Sequence, residues 1–184
     1  WLFNGSDNNS INYATIKNAA VGILCEGNQN STNGKLNISN SQIYNSSNFG
    51  ILGRATSING ENVVINNSGQ SSFAGTFGGK YNFTHSTLVN YWNTSFRQLR
   101  FNNNNLANTG NFMFNDANLY ENNLFNGAPD FKLPFQNQLI IGADSDAVNI
   151  GNASFASQVP NDILGVNRTS TPDAGAYQHV IFED

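Results

Sequence analysis

Twelve carboxylates, two histidines and one cysteine are the side chains with which this 184-residue chain could do acid–base, nucleophilic or metal chemistry. Their spacing does not assemble them into a recognisable catalytic motif. A hydrolase of glycosidic bonds needs two carboxylates across the scissile bond. A lyase needs clustered acids for Ca²⁺ and a nearby basic proton acceptor. Between Ile11 and Asn105 there are two acids, Glu26 and Glu61, and they fall in different phrases. Asp144 and Asp146 form an Asp-x-Asp that could hold a cation, so Ca²⁺ is the one cofactor to consider; a solvated turn is the plainer reading. His85 and His179 are far apart, and neither sits in a metal-ligand cluster or near a Ser nucleophile motif. Cys25 is alone, in the apolar run Gly22-Ile23-Leu24-Cys25, and reads as a small buried hydrophobe. The glycines of Ala74–Gly79 precede no helix pattern and cradle no phosphate. The sequence therefore assigns no catalytic residue and no metal ligand.

Two groups remain that could bind or fasten. Tyr91, Trp92, Arg97 and Arg100 fall close together with Phe96 and Phe101, and outward aromatics of this kind stack on sugar rings. Arg168 could form a bidentate pair with Asp162 or Asp173 and lock the C-terminal part onto the rest.

The elements that must position these residues are short strands. Only 11% of residues are charged, well under the usual quarter. Polarity comes instead from Asn, of which there are 35. Asn is a poor helix former and tolerates φ > 0, so it favours tight turns. A phrase of apolar residue, any residue, Asn recurs as Ile16-Lys17-Asn18, Ile43-Tyr44-Asn45, Val64-Ile65-Asn66 and Leu88-Val89-Asn90. The steps are 27, 21 and 24 residues. A second phrase follows the first two copies, Gly22-Ile23-Leu24 and Gly50-Ile51-Leu52. Leu36-Asn37-Ile38-Ser39 and Tyr81-Asn82-Phe83-Thr84 alternate with the period of a strand. A repeat of this length made of strands and Asn-rich turns predicts an all-β, right-handed parallel β-helix. Its coils would stack aliphatic residues inside and place Asn18, Asn45, Asn66 and Asn90 in a side-chain ladder at a turn. The Leu-x-x-Leu-x-Leu phrase of the leucine-rich repeat is absent. Coils are expected over residues 1–123, and a terminal coil with an irregular cap over 124–184, where all four prolines lie.

The net charge of −4, with no basic stripe, argues against a nucleic-acid partner. No apolar run is long enough to span a bilayer. The first residues lack a signal peptide and read like the middle of a strand and turn. The chain is thus expected to begin part-way through a larger protein, with any export signal or lipid anchor upstream.

Phe83-Thr84-His85-Ser86-Thr87-Leu88-Val89-Asn90 resembles a coil phrase of bacterial right-handed β-helix proteins of the pectin-lyase-like superfamily. Ala143–Asn152 resembles that group's "SPAIDAGN" phrase, with Asp146 and Asn149 in place of its Pro and Asp. Asp162–Arg168 followed by Pro172–Gln178 resembles its closing "D-G-R…DIGAYE" phrase. The resemblance implies an exported or surface protein of Bacteroidetes-like bacteria, extracellular or on the outer membrane, and an end near Asp184. It implies a binding or assembly module for an envelope protein complex or a polysaccharide. The alternative it carries is a polysaccharide lyase or glycoside hydrolase whose catalytic residues lie upstream.

Overall fold

The computed structural model describes residues 1–27, 35–90, 99–101, 105–106, 113–114 and 128–183. The coils contain β1 (Asn9–Asn12), β2 (Thr15–Lys17), β3 (Val21–Glu26), β4 (Leu36–Ser46), β5 (Phe49–Ser68) and β6 (Ser71–Thr84). Four short strands follow: β7 (Thr87–Leu88), β8 (Leu99–Phe101), β9 (Asn105–Leu106) and β10 (Met113–Phe114). Every pairing among these ten strands is parallel. Parallel neighbours at a sequence distance of one repeat, with no helix between them among the described residues, point to one topology: the backbone winds on top of itself. The chain is a parallel β-solenoid of about three turns.

The register states which residues stack. Ile16 pairs with Ile43, Ile43 with Ile65 and Ile65 with Leu88. Ile23, Ile51 and Phe73 form a second inward column, and Leu36, Ile58 and Tyr81 a third. All belong to one buried core except Ile16, which is partly buried and packs against it. The core changes character along its length. The early coils contribute Ile and Leu, whereas Phe73, Tyr81 and Phe83 meet edge to face, with centroids 4.9 and 5.2 Å apart. Glycine makes room for these rings. A Cβ on Gly53 would meet the Tyr81 hydroxyl at 2.7 Å, and one on Gly60 would strike the Phe83 ring. Burying side chains of this size contributes about 1.5–3 kcal/mol each.

The coils turn at columns of residues in the left-handed conformation. One holds Tyr13, Asn40, Asn62 and His85, with φ of 52, 47, 52 and 46°. Another holds Asn18, Asn45 and Asn67, with φ of 60, 58 and 52°. Asn suits these corners because its short side chain tolerates φ > 0. Asn66 lies outside the second column. It pairs with Tyr44, so the place beside Asn45 belongs to Asn67. Asn90 follows Asn67 in register, and its amide brackets the Ser68 peptide, donating to the carbonyl at 2.5 Å and accepting from the N–H at 3.2 Å. Amide-to-amide bonds run along one further column and along the first corner column. Asn82 donates to Asn59 and Asn59 to Asn37, at 2.8 and 3.0 Å. Asn62 donates to Asn40 and Asn40 to Asn12, both at 3.0 Å.

The last third does not continue the winding. β11 (Phe131–Leu133) and β12 (Gln138–Ile141) form an antiparallel pair joined by a 3-10 turn, Pro134–Gln136. A short helix, α1 (Ala153–Gln158), follows. The end of the last coil, where a cap is expected, falls outside the described residues; the place of residues 128–183 is given by their contacts. They lie along the flank, where Leu139, Ala176 and Tyr177 pack on Val64 and Val89. The reason is visible in the coils: Val64 and Val89 are apolar at outward positions and need a cover. Asn137 threads into the Asn corner, donating to Asn45 at 3.2 Å and accepting from Asn66 and Asn67 at 3.1 and 2.9 Å.

Candidate functional site

Arg168 is where the tail meets the ladder. Its Nη2 donates to Asn62 Oδ1 at 2.7 Å, and to the carbonyls of Gly175 and Ala176 at 3.3 and 3.4 Å. The expected bidentate pair is not formed, because both carboxylates are engaged by backbone. Asp162 accepts from the N–H groups of Leu164, Val166 and Gln178, at 2.8, 2.8 and 2.9 Å. Asp173 accepts from the N–H groups of Asn149 and His179 at 2.9 and 2.6 Å, and contacts the His179 ring at 2.8 Å. Burial lowers the Arg168 pKa to about 10, while the fields of Asp162 and Asp173 work to keep it charged. The three residues belong to one knot, in which the acids shape the tail and the arginine carries it to the coil. Arg168→Ala removes these bonds and leaves the Asn62 carbonyl without its charged donor. We expect a loss of about 1–3 kcal/mol, read as faster protease cleavage within residues 128–183 and a lower thermal midpoint. An unchanged digestion pattern would show that Arg168 fastens nothing.

His85 sits beside this knot, with no exposed surface. Burial first, then the Arg168 charge, lowers its pKa to about 3, against hydrogen bonds to the backbone of Gly175 and Asp173 that favour the proton. It is a neutral structural imidazole. Cys25 is also fully buried, with Sγ 3.4 Å from Thr56 Oγ1, and burial raises its pKa. A buried thiol of this kind is inert. Glu26 pairs with Arg54 at 3.2 Å and accepts from the Trp1 indole at 2.9 Å. Asp146 accepts from the Ala128 N–H at 2.7 Å. Among the described residues, no group of three or more His, Cys, Asp or Glu side chains converges as a metal site. Tyr91, Trp92 and Arg97 lie outside the described residues. Arg100 is placed by its backbone in β8, opposite Ala74.

The feature that could receive a ligand lies between the coils and the tail. A cleft of about 450 Å³ is lined on one side by Tyr13, Asn40, Glu61 and Asn62, and on the other by residues 158–165. The left-handed corner sets the first wall, bringing Tyr13, Asn40 and Asn62 from three coils into one line. The Asp162 bonds shape the second, and the Asn62 amide joins the two by donating to the Asn161 carbonyl at 2.9 Å. Glu61 is exposed. Among the described residues, its carboxylate enters no hydrogen bond or ion pair. The lining holds no Lys, Arg or His. The cleft is thus polar and weakly acidic, with one aromatic residue, Tyr13, in its lining. Sequence reading missed it. The available signal was the 22-residue step from Asn40 to Asn62, one coil, but nothing local ties that step to Asn161.

Among protein-family models, curated proteins and solved structures, none matches this chain. The chain is a parallel β-solenoid of about three turns with its tail bound along one flank.

Proposed function

We propose that the chain is a non-catalytic binding module of a bacterial surface, extracellular or on the outer membrane, which presents the side of a rigid solenoid to a polysaccharide or an envelope protein. The observation that carries this reading is the cleft between corner column and tail, with one uncommitted carboxylate. Binding asks for shape and fixed hydrogen-bonding groups, and the Asn ladder holds the latter in place. Glycosidic hydrolysis asks for two carboxylates facing each other across the bond. At this cleft Asp162 is engaged by three backbone N–H groups, which leaves Glu61 alone. Among the described residues no helix is long and apolar enough to cross a membrane. The placement at a surface rests on the likeness of the tail phrases.

The test is to mix the full chain with envelope fragments and with insoluble polysaccharides, and to assay pellet and supernatant. We expect the chain in the pellet, with no new reducing ends and no unsaturated products in solution. Continuing product release would overturn the binding reading in favour of a lyase or hydrolase.

A further inference from the structure

Resting on that binding reading, we infer that the cleft takes a neutral sugar chain, with Tyr13 as its stacking platform. The argument starts from an aromatic in a costly place. Tyr13 has φ of 52° and is 77% exposed. The left-handed region suits Asn, which holds the next two positions of the column, and penalises a bulky ring. Tyr13 gains no burial in return. Phe77 is a comparison within the same molecule, for it shares a left-handed φ of 61° and high exposure but is not among the residues lining this cleft. What distinguishes Tyr13 is its neighbours.

Those neighbours are the groups that recognise hydroxyls. Asn40 uses one amide hydrogen on Asn12, which leaves a second donor whose direction the ladder fixes. Glu61 offers two oxygens with no partner among the described residues, the geometry that accepts from two adjacent hydroxyls. The apolar face of a pyranose packs on an aromatic ring while its edge meets amide and carboxylate. The cleft volume falls within the range of small-ligand sites, about 300–1,000 Å³.

Charge then selects among sugars. A uronate would meet Glu61 with no cation in the lining to offset the repulsion. A protonated amino sugar would gain little, because an ion pair with an exposed carboxylate is weak. Stacking and hydroxyl bonds dominate, and they favour an uncharged chain.

The experiment is calorimetric titration of the full chain with neutral hexose oligomers of α and β linkage, with uronate and glucosamine oligomers in parallel. We expect at least one neutral oligomer to bind, and uronates to bind at least about tenfold more weakly. Tyr13→Asn keeps a residue suited to the corner and removes the ring. It should weaken binding about tenfold or more with the thermal midpoint held. Tyr13→Phe should retain binding, and Glu61→Gln should weaken it. The inference is overturned if no neutral oligomer binds, if charged oligomers bind more tightly, or if Tyr13→Asn leaves affinity unchanged. Retention on envelope material that persists in Tyr13→Asn would then leave the broader binding reading standing. Loss of retention in the unaltered chain would remove both.

Discussion

His85→Asn is expected to make the fold more resistant to acid than the native chain. The folded imidazole stays neutral down to about pH 3, because burial and Arg168 oppose its charge. In the unfolded chain it takes a proton near its ordinary value of about 6.5. Below that pH the unfolded state binds more protons, so stability present above pH 6.5 drains away as pH falls and is fully lost by about pH 3. Between pH 7.5 and pH 4 the native chain should lose about 3 kcal/mol through this group. Asn is the natural replacement, since Asn40 and Asn62 occupy the same column and share its left-handed φ. Urea midpoints of both proteins at pH 7.5, 5.5 and 4 provide the measurement. The variant should gain on the native chain as pH falls. Parallel pH curves would show that His85 does not sense acid.

Gly50→Ala is expected to cost about 3 kcal/mol, at the upper end of what overpacking usually does. Gly50 lies beside Gly22, between the pairs Val21–Phe49 and Ile23–Ile51. A Cβ there would collide with the Ile65 Cγ2 methyl and come within 2.5 Å of the Ser72 carbonyl. One obstacle is core and the other is backbone, so neither moves aside cheaply. Gly5→Ala is the control, because a Cβ at Gly5 meets nothing within 4 Å. Denaturant midpoints at constant slope separate the two. An unchanged midpoint for Gly50→Ala would mean that the coils do not pack as closely as described.

That glycine column also explains what could be read from the sequence. The phrases Gly22-Ile23-Leu24 and Gly50-Ile51-Leu52 recur because one inward aliphatic and one close backbone approach are shared by those two coils. The third copy is Ser72-Phe73-Ala74, which a search for Gly-Ile-Leu does not find, because the core turns aromatic there. The Asn phrase failed by one residue for a related reason. Both Val64 and Ile65 are apolar, and both Asn66 and Asn67 are Asn, so two alignments look equally good. Outward Val64 is apolar only because the tail covers it. A contact across more than 70 residues has no local period, and the cleft, built from the same contact, was equally hidden. Arg168 and its two acids were recognisable as a tail fastening by residue type. Their partners were not, since backbone N–H groups leave no mark in a sequence.

The bound tail changes how the coils are coupled. In a plain solenoid each coil touches only its neighbours, and the array can fray from an end, coil by coil. Here Asn137 bridges Asn45 and Asn67, Arg168 holds Asn62, and the Ala176 N–H meets Thr87 Oγ1 at 3.0 Å. One segment thus grips three successive coils at once, like a batten nailed across planks. No gripped coil can peel away without first tearing the batten loose, so a pull along the stack is shared among them and they let go together.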